Sequence, residues 1–365
     1  MSNPKLTVAI IGGGIGGLSF AVALLKARND VVIDIYEAGE TFSELGAGLN
    51  LWPRVLEVLH SFGLEDELYK YAGPPGLYKK MKFMKADQPE GIYWGEAPAN
   101  MHGIHRADFL KVFVNHTTTG CTSHFSKKLL SYEDAAGRPV TLKFADGTTA
   151  TCDLLVGADG VKSAVRSNMY SQIADEMEKA GRPSDVVQSM KNCMKPIWAG
   201  SIIYRQLIPR EVLEKAFPDH VALDNPTFFQ GKSKFLITYP ISKGRWVNCA
   251  AIVARHDQYG STYEGSWAVR VTNDVLAEEY ANWDPAATTL IHLMDSPIRW
   301  VMNTVEYLPT YASGRVAILG DAAHAMTTYQ AAGAMQAVEV TVTRTFRSRK
   351  SLTEGARTAS FSRLC

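Results

Sequence analysis

The chain has 365 residues, of which 46% are hydrophobic, and this is enough for about two domains with buried cores. Its formal net charge is +1 at pH 7, so the sequence has no field that would recruit nucleic acid or an anionic membrane. The five cysteines are widely spaced without a Cys-x-x-Cys pair, which argues against a metal site and against a disulfide framework. These properties predict a cytoplasmic protein without nucleic-acid or membrane partners, and they leave its oligomeric state open.

The N-terminal segment predicts a strand, a glycine-rich turn, a helix and a second strand. Leu6–Ile11 and Val31–Tyr36 are β-rich apolar runs of the kind buried in a parallel sheet, and Leu18–Lys26 lies between them as an apolar helix. The glycines of the turn would disrupt a membrane-spanning helix over Val8–Leu25. The segment therefore predicts the start of a Rossmann-like α/β domain.

Three glycines at the first strand-to-helix junction form a dinucleotide-binding fingerprint. Gly12, Gly14 and Gly17 match G-x-G-x-x-G. The first permits a tight turn, the second lets backbone amides approach a pyrophosphate, and the third lets the helix pack closely on the sheet. Glu37 follows at the end of the second strand, where a carboxylate accepts hydrogen bonds from ribose hydroxyls and would repel a 2′-phosphate. The unit is therefore predicted to bind FAD or NAD rather than NADP.

Two further strand ends carry glycine and aspartate. Leu154–Val156 leads into Gly157-Ala158-Asp159-Gly160, and Val316–Leu319 leads into Gly320-Asp321. Ligands of parallel α/β sheets bind at the carboxyl ends of the strands. The three loops are therefore expected to converge on one extended ligand.

Asp321 has two possible roles. It stands where a helix N-cap would, before a predicted helix over Ala322–Met326, and capping alone would explain it. The alternative is that its carboxylate bonds a ribityl hydroxyl of a flavin, while the N-terminal amides of the helix stabilise negative charge on the flavin's pyrimidine edge. The small residues around Asp321 favour the second role, because they permit close approach of backbone to a ligand.

In this order and at these separations, the three loops resemble the fingerprints of class A FAD-dependent aromatic hydroxylases, the salicylate hydroxylase-like flavoprotein monooxygenases. The resemblance covers about residues 5–339 and includes the segments GAGLNLWP (46–53), GIHRADFL (103–110), YRQLIP (204–209) and LITYPISKGRWVN (236–248). It implies an α/β fold with a Rossmann-like FAD-binding domain and a second β-sheet substrate domain, like that of p-hydroxybenzoate hydroxylase. The expected FAD-binding domain comprises 1–75, 103–190 and 304–340, the substrate domain comprises 76–102 and 191–303, and 341–365 is expected to be a disordered basic tail.

The resemblance also implies a reaction. NADH or NADPH binds transiently, reduces the FAD and leaves, so no second nucleotide-binding fold is expected. The reduced flavin adds O2 at C4a, and the resulting hydroperoxide hydroxylates a small aromatic substrate, either a phenol or an aromatic acid. The cofactor supplies this chemistry, and the protein supplies orientation, electrostatics and exclusion of water.

Several positions match those that the family uses to bind FAD. Arg106 matches an arginine that contacts the cofactor. It precedes a helix predicted from about residue 107, and a cation at a helix N-terminus opposes the helix dipole unless a nearby anion compensates it. The alternative is an ordinary surface arginine. Ala47 and Gly48 match the segment that passes beside the flavin. Gly333 and Ala334 lie where the family has a cofactor-binding Gly-Ala-Gly run.

Two further positions match residues that the family assigns to catalysis. Arg205 and Tyr239 lie in predicted strands of the substrate domain. A phenol must lose, or nearly lose, its proton to activate the ring, and a tyrosine hydroxyl could hydrogen-bond the emerging phenolate. The arginine could hold a carboxylate or screen the phenolate charge. Both could instead be ordinary residues of a sheet.

The sequence departs from the family pattern after Asp321. Thr328 stands where proline is usual, and Ala331 and Met335 stand where glycines are usual. Alanine is tolerated at 331 unless φ must be positive, and methionine at 335 is expected to narrow the site. After Glu339 the aspartate and the long apolar helix that the family pattern predicts do not appear, so the chain is expected to be truncated or altered there. Two alternatives to an aromatic hydroxylase stay open: a flavin-dependent reductase or epoxidase acting on an isoprenoid, and a truncated flavin-binding isoform without turnover.

Overall fold

The structure is a computed structural model, and it describes residues 6–43, 48–72 and 78–341. The chain divides into two compact units. The first is formed by Met1–Glu44, Leu110–Pro196 and Asn303–Cys365, and the second is formed by Leu45–Phe109 and Ile197–Met302.

The elements are as follows in chain order. The strands are β1 (Leu6–Ile11), β2 (Val31–Tyr36), β3 (Gly48–Leu51), β4 (Tyr78–Lys85), β5 (Ile92–His105), β6 (Cys121–His124), β7 (Leu129–Glu133), β8 (Val140–Phe144), β9 (Thr149–Cys152), β10 (Leu154–Gly157), β11 (Ile197–Pro209), β12 (Thr227–Gly231), β13 (Lys234–Ile241), β14 (Trp246–Ala254), β15 (Ala268–Arg270), β16 (Ile298–Thr304), β17 (Ala312–Ser313) and β18 (Val316–Ile318). The helices are α1 (Ile15–Ala27), α2 (Pro53–Ser61), α3 (Glu65–Ala72), α4 (Arg106–Thr117), α5 (Ala164–Lys179), α6 (Ser184–Asn192), α7 (Arg210–Ala216), α8 (Asp274–Glu279), α9 (Pro285–Leu293) and α10 (Asp321–His324), and residues 333–341 are also helical.

The first unit contains a six-stranded sheet in the order β17-β18-β10-β1-β2-β6. Its strands are parallel except for β17, which is antiparallel to β18. Ile10 and Ile33 in the middle of the sheet are fully buried, which explains why β1 and β2 read as continuous apolar runs. Both strands have the predicted bounds, and the parallel order places the ends of β1, β10 and β18 side by side.

The second unit contains a nine-stranded sheet in the order β15-β16-β11-β14-β13-β12-β4-β5-β3. Its centre is the antiparallel set β11, β14 and β13. Side chains alternate between the faces, so that Leu236 and Ala251 pack with Leu213 of α7 and Leu290 of α9 in one hydrophobic cluster. The opposite face of these strands carries the residues that the sequence assigned to catalysis.

The two units differ from the predicted domain limits. Residues 48–72 and 103–109 lie in the second unit rather than in the first. The reason is strand pairing. β3 pairs with β5, with Gly48 opposite His105, and β5 pairs in turn with β4, so all three strands belong to the nine-stranded sheet of the second unit. The second unit resumes at Ile197 rather than at 191, since Met190 of α6 packs in the hydrophobic cluster of the first unit.

The C-terminal expectations fall largely beyond the described residues. Of the predicted disordered tail over 341–365, only Thr341 is described, and it is buried within the helical stretch 333–341. In the described part of the chain, every helix falls short of the length and apolarity that crossing a bilayer requires.

Candidate functional site

Gly12 makes a backbone contact with the loop that follows β10. Its φ is +103°, and a β carbon built on it would lie 2.3 Å from the carbonyl oxygen of Ala158 and 3.0 Å from Cα of Asp159. The N–H of Gly12 donates to the carbonyl of Tyr36 at 2.8 Å, which fixes the turn on the end of β2. Only glycine fits this position, as the fingerprint predicts.

The other two fingerprint glycines lie at the N-terminus of α1 and allow it to begin close to β1. Gly14 is the N-cap of this helix and contributes no side-chain cap, so the first amides of α1 have no intrahelical acceptor. A β carbon on Gly17 would lie 2.0 Å from the carbonyl oxygen of Gly12. The glycines therefore let α1 start directly at the end of β1, with its N-terminal amides facing outward along the helix axis.

Glu37 stands at the end of β2 and is bonded to the glycine loop. Its Oε2 accepts from the Gly13 N–H at 2.8 Å, and its Oε1 accepts from the Gly39 N–H at 2.7 Å. A carboxylate has about four acceptor positions, so two hydrogen bonds leave capacity for ribose hydroxyls.

The third loop packs on the first. Gly320 has a φ of +61°, and a β carbon on Gly16 would lie 2.9 Å from Cδ1 of Leu319 and 3.6 Å from Cα of Gly320. Together with the contact between Gly12 and Ala158, this brings the ends of β1, β10 and β18 together. The predicted convergence of the three loops is confirmed.

Asp321 does not cap a helix. The N-cap of α10 is Gly320, which makes no side-chain cap, and Asp321 is the exposed first residue of the helix. The predicted helix over 322–326 is wrong in extent, since α10 ends at His324. Gly333 and Ala334 instead lie in the first turn of the helical stretch 333–341, whose leading amides have no acceptor within the helix.

Asp159 uses its side chain within the protein. Its Oδ1 accepts from the Ser163 hydroxyl at 2.5 Å, and its Oδ2 accepts from the N–H groups of Ala164 and Val165 at 2.7 and 3.1 Å. Burial raises the pKa of Asp159, and these hydrogen bonds oppose the rise. The carboxylate therefore fixes the loop after β10 on the N-terminus of α5, leaving the loop backbone as the part that faces Gly12.

Arg166 connects the second and third loops, and sequence reasoning did not assign it to the site. It is fully buried, its Nη1 donates to the Ala322 carbonyl at 2.9 Å, and its Nη2 donates to the Val161 carbonyl at 2.7 Å. Burial lowers the pKa of Arg166, and the charge of Asp159 raises it. The spacing of Ser163 and Arg166 in the sequence is typical of a helix. The hydrogen-bond partner of Arg166, Ala322 in α10, lies 156 residues away, and no sequence pattern indicates that pairing.

Ala331 occupies a left-handed conformation, with φ 49° and ψ 31°. The sequence predicts that alanine is tolerated there only if φ is negative, so this residue is strained. We expect Ala331→Gly to raise the free energy of unfolding by about 1 kcal/mol, which thermal denaturation will measure. Ala334→Gly is the matched control and should lower stability by a similar amount, because residue 334 is helical. Equal effects of the two variants would contradict the assignment of strain.

Met335 was predicted to narrow the cofactor site. It is 2% exposed and belongs to the packed side of the helical stretch 333–341. Its bulk is thus accommodated inside the first unit.

In the second unit, two side chains converge on the carbonyl oxygen of Gly48. The Tyr239 hydroxyl donates to it at 2.9 Å, and Nη2 of Arg205 donates to it at 3.0 Å. Ala47, its predicted neighbour beside the flavin, lies outside the described residues. The sequence-predicted residues Gly48, Arg205 and Tyr239 therefore form one cluster.

The electrostatics of this cluster follow from burial. Burial raises the pKa of Tyr239, and hydrogen bonding and charge from Arg205 lower it. Burial also lowers the pKa of Arg205, and the charge of Arg106 adds to this effect. A tyrosine with a raised pKa is protonated at neutral pH, so its hydroxyl has one proton to donate, and that proton is directed at Gly48.

Arg106 is the first residue of α4. The helix therefore begins one residue earlier than predicted, with Nδ1 of His105 accepting a hydrogen bond from the Ala107 N–H at 3.2 Å. This arrangement places a cation at the positive end of a helix dipole, which favours a nearby anion.

No group of three or more His, Cys, Asp or Glu side chains suited to a metal ion occurs among the residues whose structure is described. In the glycine loops of the first unit, a β carbon on Gly12, Gly16 or Gly17 would lie within 3.0 Å of another atom, and this side-chain-free backbone instead fits a dinucleotide whose pyrophosphate approaches it.

Comparisons with known proteins agree with this geometry. A family model described as FAD binding domain matches residues 5–205. The chain is 35% identical over 338 residues to the FAD-dependent monooxygenase str9 of Strobilurus tenacellus, covering 89% of this chain and 73% of that protein. It is 31% identical over 346 residues to a salicylate hydroxylase of Pseudomonas putida, covering 92% of this chain and 75% of that protein.

Among solved structures, a salicylate hydroxylase substrate complex matches with a TM-score of 0.76 and 28% identity, covering 94% of this chain and 79% of that chain. The fold, the converging glycine loops and these relatives agree. The chain belongs to the FAD binding domain family and, within it, to the class A FAD-dependent aromatic hydroxylases similar to salicylate hydroxylase.

Proposed function

We propose that this FAD-dependent aromatic hydroxylase acts on a small phenol or aromatic acid of the salicylate type, with the first unit holding FAD and the second holding the substrate. The observation that carries the proposal is the convergence of the three glycine-bearing loops at the ends of β1, β10 and β18. NADH or NADPH and O2 are the co-substrates. When bound, FAD supplies the oxygen-activating chemistry, and NAD(P)H supplies its electrons.

The residues of the first unit would hold FAD in three ways. Backbone amides at the start of α1 would receive the pyrophosphate, and the remaining acceptor capacity of Glu37 would bind the adenosine ribose. The exposed carboxylate of Asp321 would accept from a ribityl hydroxyl. The proposed cofactor residues are Gly12, Gly14, Gly17, Glu37, Ala47, Gly48, Arg106, Asp159, Gly320, Asp321, Gly333 and Ala334, of which Ala47, Gly48 and Arg106 are carried over from the family resemblance alone.

The proposed catalytic residues divide the work of activating a phenol. The proton of Tyr239 is directed at Gly48 and its oxygen is hydrogen-bonded to Arg205, so the remaining acceptor position of this oxygen would take a hydrogen bond from the substrate's own hydroxyl. That bond draws the phenol proton away from the ring oxygen and raises electron density in the ring. The charge of Arg205 stabilises the phenolate that develops, in an environment where burial strengthens the attraction.

We expect Tyr239→Phe to slow product formation by about 10²-fold while leaving flavin reduction by NAD(P)H unchanged, since the lost group acts on the aromatic ring. Stopped-flow absorbance for flavin reduction and chromatography for hydroxylated product will separate the two steps. Tyr204→Phe is the matched control, because Tyr204 is also buried in this sheet but points to its opposite face. Unchanged product formation in Tyr239→Phe would remove this tyrosine from the mechanism.

A panel of aromatic acids and phenols, assayed for product rather than for NAD(P)H loss, tests the proposed function. The expected result is a yellow protein whose NAD(P)H oxidation is stimulated by a salicylate-type compound and coupled to a hydroxylated product. Flavin binding with turnover of isoprenoid alkenes and no response to phenols would overturn it. So would NAD(P)H oxidation that never yields product from any member of the panel.

The working compartment is proposed to be the cytoplasm. Cys121, Cys152, Cys193 and Cys249 are free thiols among the described residues, as in proteins of a reducing compartment. Fractionation of the native host, with this protein followed by antibody, tests that location.

A further inference from the structure

Arg299 is a cation without an acceptor. It lies in β16, is only partly exposed, and makes no hydrogen bond or ion pair with side chains in the described ranges. Its Nε is buried and has no partner among those residues. Withdrawing a guanidinium from water costs free energy unless its N–H groups find acceptors, so an anion from outside the chain is the missing partner.

Arg299 projects from the face of the nine-stranded sheet that lies opposite the catalytic candidates. Trp300, the next residue of β16, packs against the cluster that contains Ala250, and Ala250 pairs with Arg205 across β14 and β11. Because successive side chains of a strand alternate between faces, Arg299 takes the other face, which is that of Tyr204. The unpaired cation is therefore separate from the proposed catalytic cluster.

An aromatic contact positions Arg299 without satisfying its donors. Its guanidinium carbon lies 5.8 Å from the centroid of the Tyr263 ring, and this ring packs edge-on against Trp198 with the centroids 5.0 Å apart. A cation–π contact attracts the charge, but it gives the N–H groups no oxygen acceptor. The guanidinium is therefore held in place with its hydrogen-bonding capacity unused.

The neighbouring charges leave a positive excess. Burial raises the pKa of Tyr204, and the charge of Arg299 is the largest effect that lowers it, which places this cation near the tyrosine hydroxyl. Glu279 is the one carboxylate that acts on the same hydroxyl. It is already paired with Arg255 and with Lys234, whose Nζ lies 2.6 Å from its Oε2. Three cations thus surround one carboxylate that two of them already engage.

The excess charge favours phosphate over carboxylate as the ligand group. A phosphate monoester carries about −1.5 to −2 charges at neutral pH and three acceptor oxygens, whereas a carboxylate carries one charge and two oxygens. A guanidinium also bonds phosphate through two parallel N–H donors. The group that best compensates Arg299 and its surroundings is therefore a phosphate.

We propose that Arg299 anchors a binding site for a phosphate group on this face of the second unit, and that the charges of Arg255 and Lys234 attract the anion to it. The inference goes beyond the proposed function, since the site uses neither FAD nor the face that carries Arg205. Free phosphate monoesters and the 2′-phosphate of NADPH share this chemistry, and the experiment distinguishes these two sources.

Inorganic phosphate is the first probe. Titrated into the wild-type holoprotein at constant ionic strength and followed by its 31P NMR line width, it should bind with a Kd of about 1 mM or lower. Arg299→Gln should raise this Kd at least about tenfold, because the anchoring charge and its paired donors are lost. Acetate, displacing phosphate in the same experiment, should bind at least about fivefold more weakly.

Arg270→Gln is the matched control. It removes the same charge from the neighbouring strand β15, but Arg270 is exposed and its Nη1 already donates to the Ser296 carbonyl at 2.8 Å. Its Kd should change by less than about twofold. Equal weakening by both variants would mean that phosphate senses only the net charge of the protein, and acetate binding as tightly as phosphate would mean that the ligand class is wrong. Either result overturns the inference.

Competition with nicotinamide nucleotides identifies the source of the phosphate. Displacement of inorganic phosphate by NADP+ but not by NAD+ supports the 2′-phosphate as the ligand, and displacement by neither supports a free monoester. Equal displacement by both would overturn the assignment to a monoester. If Arg299→Gln fails to fold, a crystal structure of the wild-type holoprotein with phosphate decides: an oxygen within about 3.2 Å of the Arg299 guanidinium supports the site, and phosphate bound elsewhere overturns it.

Discussion

Gly12→Ala will prevent FAD retention and lower the free energy of unfolding by about 2–6 kcal/mol, combining backbone strain with overpacking. The added β carbon would stand 2.3 Å from the Ala158 carbonyl oxygen at a φ of +103°. This clash cannot relax easily, because Gly12 and Ala158 both lie in backbone at the ends of the paired strands β1 and β10. Thermal denaturation and the ratio of flavin to protein absorbance after purification measure the two effects.

Gly160→Ala is the control for this variant. Gly160 also has a positive φ, +76°, but no atom lies within 4 Å of the position that its β carbon would occupy. It should therefore lose only about 1–2 kcal/mol of stability and should keep FAD. If both variants behaved alike, the contact between the first and second loops would not be what holds the cofactor site together.

Arg166→Met should cost about 2–5 kcal/mol of stability and release much of the FAD, because it leaves one buried and one partly buried carbonyl group without their donor. These carbonyls belong to Val161 and Ala322, so both the second and the third loop lose their common anchor. Asp159 also loses the neighbouring positive charge that acts on it. Urea denaturation of apoprotein and holoprotein separates the stability of the fold from the affinity for FAD.

Two comparison variants make the Arg166 result interpretable. Arg182→Met removes an exposed arginine from the same unit and should change stability by less than about 0.5 kcal/mol. Arg166→Lys keeps the charge but cannot donate to both carbonyls in the geometry of a guanidinium. Its stability and its FAD content should therefore lie between those of wild type and Arg166→Met. An Arg166→Met protein as stable as Arg182→Met, with full FAD, would show that the loops hold their positions without this side chain.

Much of the cofactor site could be read from the sequence because its signals are local. The strand, turn, helix and second strand of residues 6–36 occupy consecutive positions, and their glycines act on the backbone in which they stand. Asp321 shows where such local reading fails. Its sequence neighbours allowed both a cap and an exposed first-turn residue, and the choice depended on Gly320 adopting a positive φ against Gly16.

The sequence by itself determined the parallel sheet, the glycine turns and the three strand ends, because strand period, glycine freedom and the order of elements are properties of short segments. Only the tertiary structure decided how the side chains at those ends are used. Asp159 accepts from the first amide of α5, Arg166 donates to Ala322 at a separation of 156 residues, and Gly48 bonds Tyr239 and Asn248 at separations of 191 and 200 residues. Hydrogen-bond partners that distant are chosen by the packing of sheets and helices, which no local pattern records.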